Sequence, residues 1–151
     1  MERGLIMPNL NWSALKHLQL GRYAEYYAKM EFTSYGYEVY TSEVDDHGVD
    51  FIAKSPKGQF LEVQVKAVRN ENYVYIHKDK IELDDAHLVC YIVFSNGSFP
   101  DVYIIPATVW TEPNGVFVSY DYKKPEWGIN YSLKNAHLLN PYKAENYFSV
   151  H

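Results

Sequence analysis

Glu62, Gln64 and Lys66 alternate with Leu61, Val63, Val65 and Ala67 along the segment 60–68. In a strand, successive side chains point to opposite faces, so the three polar groups stand in a row on one face and the four apolar ones on the other. Asp50 opens the preceding apolar run, Val49-Asp50-Phe51-Ile52-Ala53, and Glu25 sits in the first long helical pattern. If the two strands pair and the helix packs beside them, carboxylates, an amide and an ammonium converge, a set suited to acid–base and ion chemistry. The same row also reads as the watered face of a half-exposed strand. A third reading is a structural network in which Lys66 neutralises Glu25 or Asp50.

Convergence depends on the loop between the strands, Ser55-Pro56-Lys57-Gly58. If residue 54 pairs with residue 59 across four loop residues, Asp50 lies opposite Val63 and points away from Gln64. A loop of odd length, or one bulge, puts Asp50 opposite Gln64 and on its face. A common site requires the second arrangement.

The positioning elements follow from pattern and punctuation. Ser13 to Tyr35 predicts a helix, interrupted near Gly21 and capped by Gly36. Gly21, Glu25, Ala28 and Phe32 fall on one narrow stripe flanked by Ala24 and Tyr35, which predicts that this stripe faces inward. A carboxylate there needs a cation, a donor or a metal; a stripe displaced by about 40° leaves Glu25 bordering solvent instead. Tyr37–Val44 predicts a first strand, ending in the acidic turn Asp45-Asp46-His47-Gly48, and 50–54 and 60–68 the next two. Tyr73–His77 alternates, and Asp79 with Glu82 has capping-box spacing, predicting a short helix through Ala86. Leu88–Phe94 reads as a central strand buried on both faces, and Val102–Ile105 as another, stopped by Pro106. Val116–Tyr122 predicts a strand, and Asn140-Pro141 the start of a short terminal helix. The sum is an α/β domain with a central mixed β-sheet flanked by helices.

At 151 residues and 47% hydrophobic, the chain suits a single domain over 1–151, with a core of about 13–106 and an extension over 107–151. That extension is open to completing the core, covering the site or forming a homodimer. The N-terminal apolar run is too short for a secretory signal, and the longest run, Leu88–Phe94, is far from the roughly 20 residues of a membrane span, giving the expectation of a soluble, cytoplasmic protein with no membrane partner. The one cysteine, Cys90, lies within Leu88–Phe94 and reads as a small buried hydrophobe. A net charge of −5 argues against a surface that grips nucleic acid everywhere, although Lys66, Arg69, Lys78 and Lys80 cluster in sequence as a local basic strip. His47 is close enough to Asp50 to touch a metal-held water, but reads better as a turn histidine.

Taken together, Leu20-Gly21-Arg22-Tyr23-Ala24-Glu25, Asp46-His47-Gly48-Val49-Asp50 and Val63-Gln64-Val65-Lys66 resemble the motifs of the PD-(D/E)xK nuclease superfamily. The likeness spans roughly residues 20 to 106 and is greatest to the small bacterial branch with a Gln-x-Lys motif, which includes resolvase-like domains. The resemblance implies a restriction-endonuclease-like fold with an α-β-β-β-α-β-β core and hydrolysis of DNA. It implies that Asp50 and Gln64 bind Mg²⁺ or Mn²⁺, that Lys66 orients water or stabilises phosphate charge, and that Glu25 holds a metal-bound water or second ion. Arg22, Glu62 and His47 are accessory candidates. Two departures stand out: neutral Gln64 occupies the usual place of a second carboxylate, which Glu62 could offset in part, and Val49 replaces the proline before Asp50. The alternative is a catalytically inactive module of the same fold that binds a protein or nucleic-acid partner.

Overall fold

The computed structural model describes residues 8–43, 48–70 and 72–151. After a 3-10 turn at Trp12–Ala14, helix α1 (His17–Ser34) runs through Gly21 without a break. It starts later than the sequence pattern because Leu15 is extended. Lys16 caps it, its N–H donating to Gln19 Oε1 at 2.8 Å. At the other end Gly36 adopts φ +86°, and the N–H groups of Gly36 and Tyr37 donate to Thr33 O and Phe32 O, closing the helix as expected. The buried row of α1 is Leu20, Ala24, Ala28 and Phe32. The inward stripe is therefore displaced from the expected one, and Glu25 stands at its flank with its side chain 29% exposed.

Among the described residues eight strands follow: β1 (Glu38–Thr41), β2 (Phe51–Lys54), β3 (Phe60–Arg69), β4 (Tyr73–His77), β5 (His87–Phe94), β6 (Asp101–Pro106), β7 (Phe117–Tyr120) and β8 (Glu126–Asn130). The main sheet has the order β1-β2-β3-β5-β6, and a smaller one the order β4-β8-β7. Among the described residues only the β3–β5 pair is parallel. β5 is buried on both faces as its continuous apolar run predicts: Leu88, Cys90, Ile92 and Phe94 face the helices, whereas Val89, Tyr91 and Val93 face the small sheet. Phe51, Ala53, Leu61 and Val63 share the helix side. By alternation Glu62, Gln64 and Lys66 stand on the side of the small sheet.

Two expected helices are corrected. The segment after β4 is a 3-10 turn, Lys78–Lys80, that leads into extended Ile81 rather than a helix to Ala86. Ile81 and Leu83 both pack in the inter-sheet core, and a spacing of two puts both on one face of an extended chain but not of a helix. The terminal helix α2 (Ala144–Val150) begins beyond Asn140-Pro141, which belong to a 3-10 segment, Ala136–Tyr142. Lys143 must stay extended to bridge Tyr103 of β6, which delays the helix start. Residues 107–151 supply Trp110, Phe117, Ile129 and Leu139 to the inter-sheet core and Ala144, Tyr147 and Phe148 to the helix side. Among the described residues no helix is long and apolar enough to cross a membrane.

Candidate functional site

The loop that decides the geometry is five residues long. Lys54 pairs with Phe60, and the residues between are closed by Ser55 N–H to Gln59 O and Gly58 N–H to Ser55 O, both 2.8 Å, with Gly58 at φ +92°. The register then runs to Phe51 opposite Val63, where the ladder ends; Asp50, the residue before Phe51, lies just outside β2 and lines the same cavity as Gln64 and Lys66. This is the odd-loop arrangement that a common site requires. Asp50 N–H donates to Val63 O at 2.9 Å, and Val65 N–H donates to Asp50 Oδ2 at 2.7 Å. β2 pairs with residues 60–63 only, so the side chain of Asp50 takes the first β3 N–H beyond the end of β2.

Asp50, Gln64 and Lys66 line one cavity of about 630 Å³. It opens along the stretch of β3 that outruns β2. His17, Leu20 and Gly21 of α1 border it on one side and β4 on the other. Gln64 is 4% exposed, and its Nε2 donates to Lys80 O at 2.7 Å. Its Oε1 is turned toward Gly48, where a Cβ would come within 3.7 Å of that oxygen. Gly48 has φ +80°, a conformation that suits glycine and lets the backbone approach Gln64 closely. Burial holds the Lys66 amine below the usual lysine range, and the negative charge of Asp50 opposes that shift without cancelling it.

The remaining candidates lie elsewhere. Glu25 lines an adjoining cavity of about 340 Å³ and pairs with Arg22 across 3.5 Å. His17, Gly21, Val65 and Ala67 border both cavities, and a Cβ at Gly21 would meet nothing within 4 Å. Glu62 is held by His87, its register partner, whose Nδ1 lies 2.6 Å from Asp84. His47 lies outside the described residues. Nor does the basic strip form one face: Arg69 donates to Leu15 O, and Lys78 reaches Ser119 and Asp121 at 2.7 and 2.9 Å, while Lys66 and Lys80 border the larger cavity.

The sequence reading did not place His17, Tyr73, Tyr75 or His77 at the site, yet all four line the larger cavity. The available signal was the alternation Tyr73-Val74-Tyr75-Ile76-His77, which puts three polar-tipped rings on one face of β4. Tyr73 donates its hydroxyl to Glu126, which is buried. Burial first, then that hydrogen bond, pushes the phenol up from its ordinary range. His77 Nδ1 is buried with no hydrogen-bond partner among the described residues.

Among the described residues no group of three or more His, Cys, Asp or Glu side chains is placed to hold a metal ion. What the cavity offers is oxygen: the Asp50 carboxylate and Gln64 Oε1. That suits a hard cation that keeps several of its waters, with one protein charge to hold it.

No family model matches the sequence, and no curated protein does either. Among solved structures, the chain is similar to a Holliday junction resolvase from the archaeal hyperthermophile Archaeoglobus fulgidus, at 15% identity over 73% of this chain and 83% of that one, TM-score 0.47. It is also similar to a bacterial homing endonuclease, at 18% identity over 80% of this chain and 82% of that one, TM-score 0.49. Its own order of elements, helix, antiparallel β1-β2-β3, then β5 parallel to β3 and β6 antiparallel to β5, makes a mixed α/β fold in which a five-stranded mixed sheet is joined by a second, three-stranded one.

Proposed function

We propose that the larger cavity is the site of a metal-dependent nuclease that hydrolyses DNA phosphodiester bonds. The observation that carries this reading is the register of β2 on β3, which brings Asp50 to the side of Gln64 and Lys66. Asp50 and Gln64 Oε1 would hold Mg²⁺ or Mn²⁺, which supplies charge to polarise the phosphate and lower the pKa of an attacking water. The half-buried Lys66 amine, with its proton affinity reduced by burial, orients that water or balances charge developing on the phosphate. Val65 N–H fixes one oxygen of Asp50, and the Lys80 carbonyl fixes the amide orientation of Gln64, so neither group must be ordered by substrate. Glu25 supports from the adjoining cavity, past Gly21.

The test is cleavage of duplex, branched and single-stranded DNA with Mg²⁺ or Mn²⁺. At least one form is cut by the wild type and none by Asp50→Ala or Lys66→Ala, both with native circular dichroism. A wild-type protein that cuts none of the three overturns the catalytic reading.

A second reading has its own support: the cavity holds one carboxylate and a neutral amide. On that reading the chain is a binding module that retains the fold without the chemistry. Mg²⁺ and Mn²⁺ would then leave the melting temperature unchanged, whereas a bound ion raises it.

A further inference from the structure

A row of rings on the small sheet has no part in the chemistry proposed above. Tyr73, Tyr75 and His77 share one face of β4, opposite to Val74 and Ile76, which pack in the inter-sheet core. Tyr120 of β7 and Tyr122 of the following hairpin extend the row. Successive ring centroids lie 5.1 Å apart from His77 to Tyr75, 6.2 Å to Tyr73, 6.1 Å to Tyr120 and 5.1 Å to Tyr122. One end of the row lines the cavity that holds Asp50, Gln64 and Lys66. The other end reaches the hairpin that carries Lys123 and Lys124, both exposed.

Three features set this row apart from ordinary tyrosines on a sheet. Tyr75, Tyr120 and Tyr122 are 46%, 36% and 59% exposed, so the rings offer apolar area to solvent. Tyr73 lies across Gly128, where a Cβ would collide with its ring, and its hydroxyl is tied to buried Glu126, so that ring is fixed in place. The acids beside the row are already engaged: Asp121 pairs with Lys78 at 2.9 Å, and Glu126 accepts from Tyr73. What remains for a ligand is a line of rings, three of them exposed, with a lysine pair at one end and Lys66 at the other.

We propose that this row is a stacking platform for the unpaired bases of single-stranded DNA, running from the Lys123-Lys124 hairpin to the cavity. The choice of DNA rests on the reading under "Proposed function". Every base has a π-face, so stacking on tyrosine tolerates any sequence, and lysines balance the phosphates. Bases within a duplex are already stacked on one another and cannot offer those faces. The substrate class is therefore DNA with a single-stranded segment next to the bond to be cut.

Binding is measured by fluorescence anisotropy on the full chain in EDTA, where no cleavage occurs, so the result stands apart from the catalytic reading. The probes are a labelled oligothymidylate of about 20 nucleotides, a length that covers the row, and a duplex of the same length. The single strand binds more tightly than the duplex. The double variant Tyr75→Ala/Tyr122→Ala loses roughly fivefold or more of that affinity, whereas Tyr75→Phe/Tyr122→Phe, which keeps both rings, retains it. Photo-cross-linking with 5-iodouracil in the wild-type complex labels the tyrosines of this row and needs no variant. Equal affinity for single strand and duplex, wild-type binding by the alanine variant, or cross-links confined to other surfaces overturns the proposal. So does a concentration-dependent dimer, formed without DNA and abolished by the alanine pair, since a second copy then covers the row.

Discussion

Lys66→Met tests whether the amine is a poised functional group or half of a structural ion pair. The burial of Lys66 lowers its proton affinity, and Asp50 restores only part of it. At neutral pH the folded protein thus carries a net electrostatic penalty for keeping this amine charged, even with Asp50 counted. Replacing a whole buried ion pair by apolar side chains is commonly neutral or stabilising by about 1–4 kcal/mol, whereas removing one partner of such a pair costs about 3–5 kcal/mol. Lys66→Met lifts the burial penalty of the amine, and Asp50 keeps the Val65 N–H beside its charge, so stability at neutral pH is expected to rise slightly, where a structural ion pair would lose about 3–5 kcal/mol. The sign with pH follows from linkage. The folded lysine pKa is below the unfolded value near 10.5, so in the window between them the unfolded chain binds more protons and wild-type stability rises with pH. The penalty is full below the folded pKa and gone above about 10.5. The advantage of Lys66→Met therefore shrinks across that window, while activity, where assayed, is lost at every pH. Urea unfolding of both proteins from pH 7 upward reads the difference, and titrations common to both cancel. If Lys66→Met is destabilised by more than about 1 kcal/mol at pH 7, or if the difference is flat with pH, Lys66 is a structural ion-pair partner and the reasoning fails.

Gln64→Glu should lower stability without metal by about 1–3 kcal/mol, because it removes the donor to Lys80 O and sets a second carboxylate beside Asp50; millimolar Mn²⁺ should restore it, and a thermal melt unmoved by Mn²⁺ would argue against an ion at this position. Gly128→Ala drives a methyl group into the Tyr73 ring and pulls its hydroxyl from buried Glu126, a loss of about 2 kcal/mol in urea unfolding; wild-type stability would mean that Tyr73 does not lie across the strand. Asp84 is held below the usual carboxylate range chiefly by its hydrogen bond to His87. Its contribution to stability is thus present above that range and lost as pH falls through the folded pKa; an NMR titration of the Asp84 carboxyl that matches a model peptide would refute this.

The alternation of 60–68 was legible because one face of β3 packs on α1, and burial of one face is what period-two patterning records. Gly36 was legible for a local reason too, since only a left-handed residue closes the helix there. The inter-strand register was reducible to a parity but not to an answer. Whether Gln59 belongs to the loop or to β3 is decided by two backbone hydrogen bonds around Ser55, for which the sequence has no pattern. The false helix after Asp79 arose from a local signal, the capping-box spacing, overruled by Ile81 and Leu83 reaching the inter-sheet core. The side of the sheet on which the site opens was the least legible feature. Glu25 was expected to join Asp50 under the helix, but the inward row of α1 is Leu20-Ala24-Ala28-Phe32, and the polar row of β3 faces the second sheet, whose strands come largely from beyond residue 106.

That placement explains why β3 is more than twice the length of β2. Had β2 continued beside residues 64–69, the backbone edge at Val65 would be spent on a ladder, and the side chain of Asp50 would have no N–H to take. By ending at the first residue after Asp50, β2 leaves a stretch of paired-on-one-side strand that cannot stay bare, since an exposed edge invites pairing with another chain. Here α1, β4 and Asp50 close around it instead, and the volume they leave is the cavity. The site is therefore a consequence of strand-length mismatch, and the testable corollary is architectural. Lengthening the Ser55–Gln59 loop by one residue shifts the register of β2 by one, sends Asp50 to the helix side and buries its carboxylate among Leu61 and Val63, so such an insertion should abolish activity and stability together. Inserting one residue at the exposed Lys123-Lys124 hairpin, which lies outside every main-sheet pairing, should leave stability near wild type.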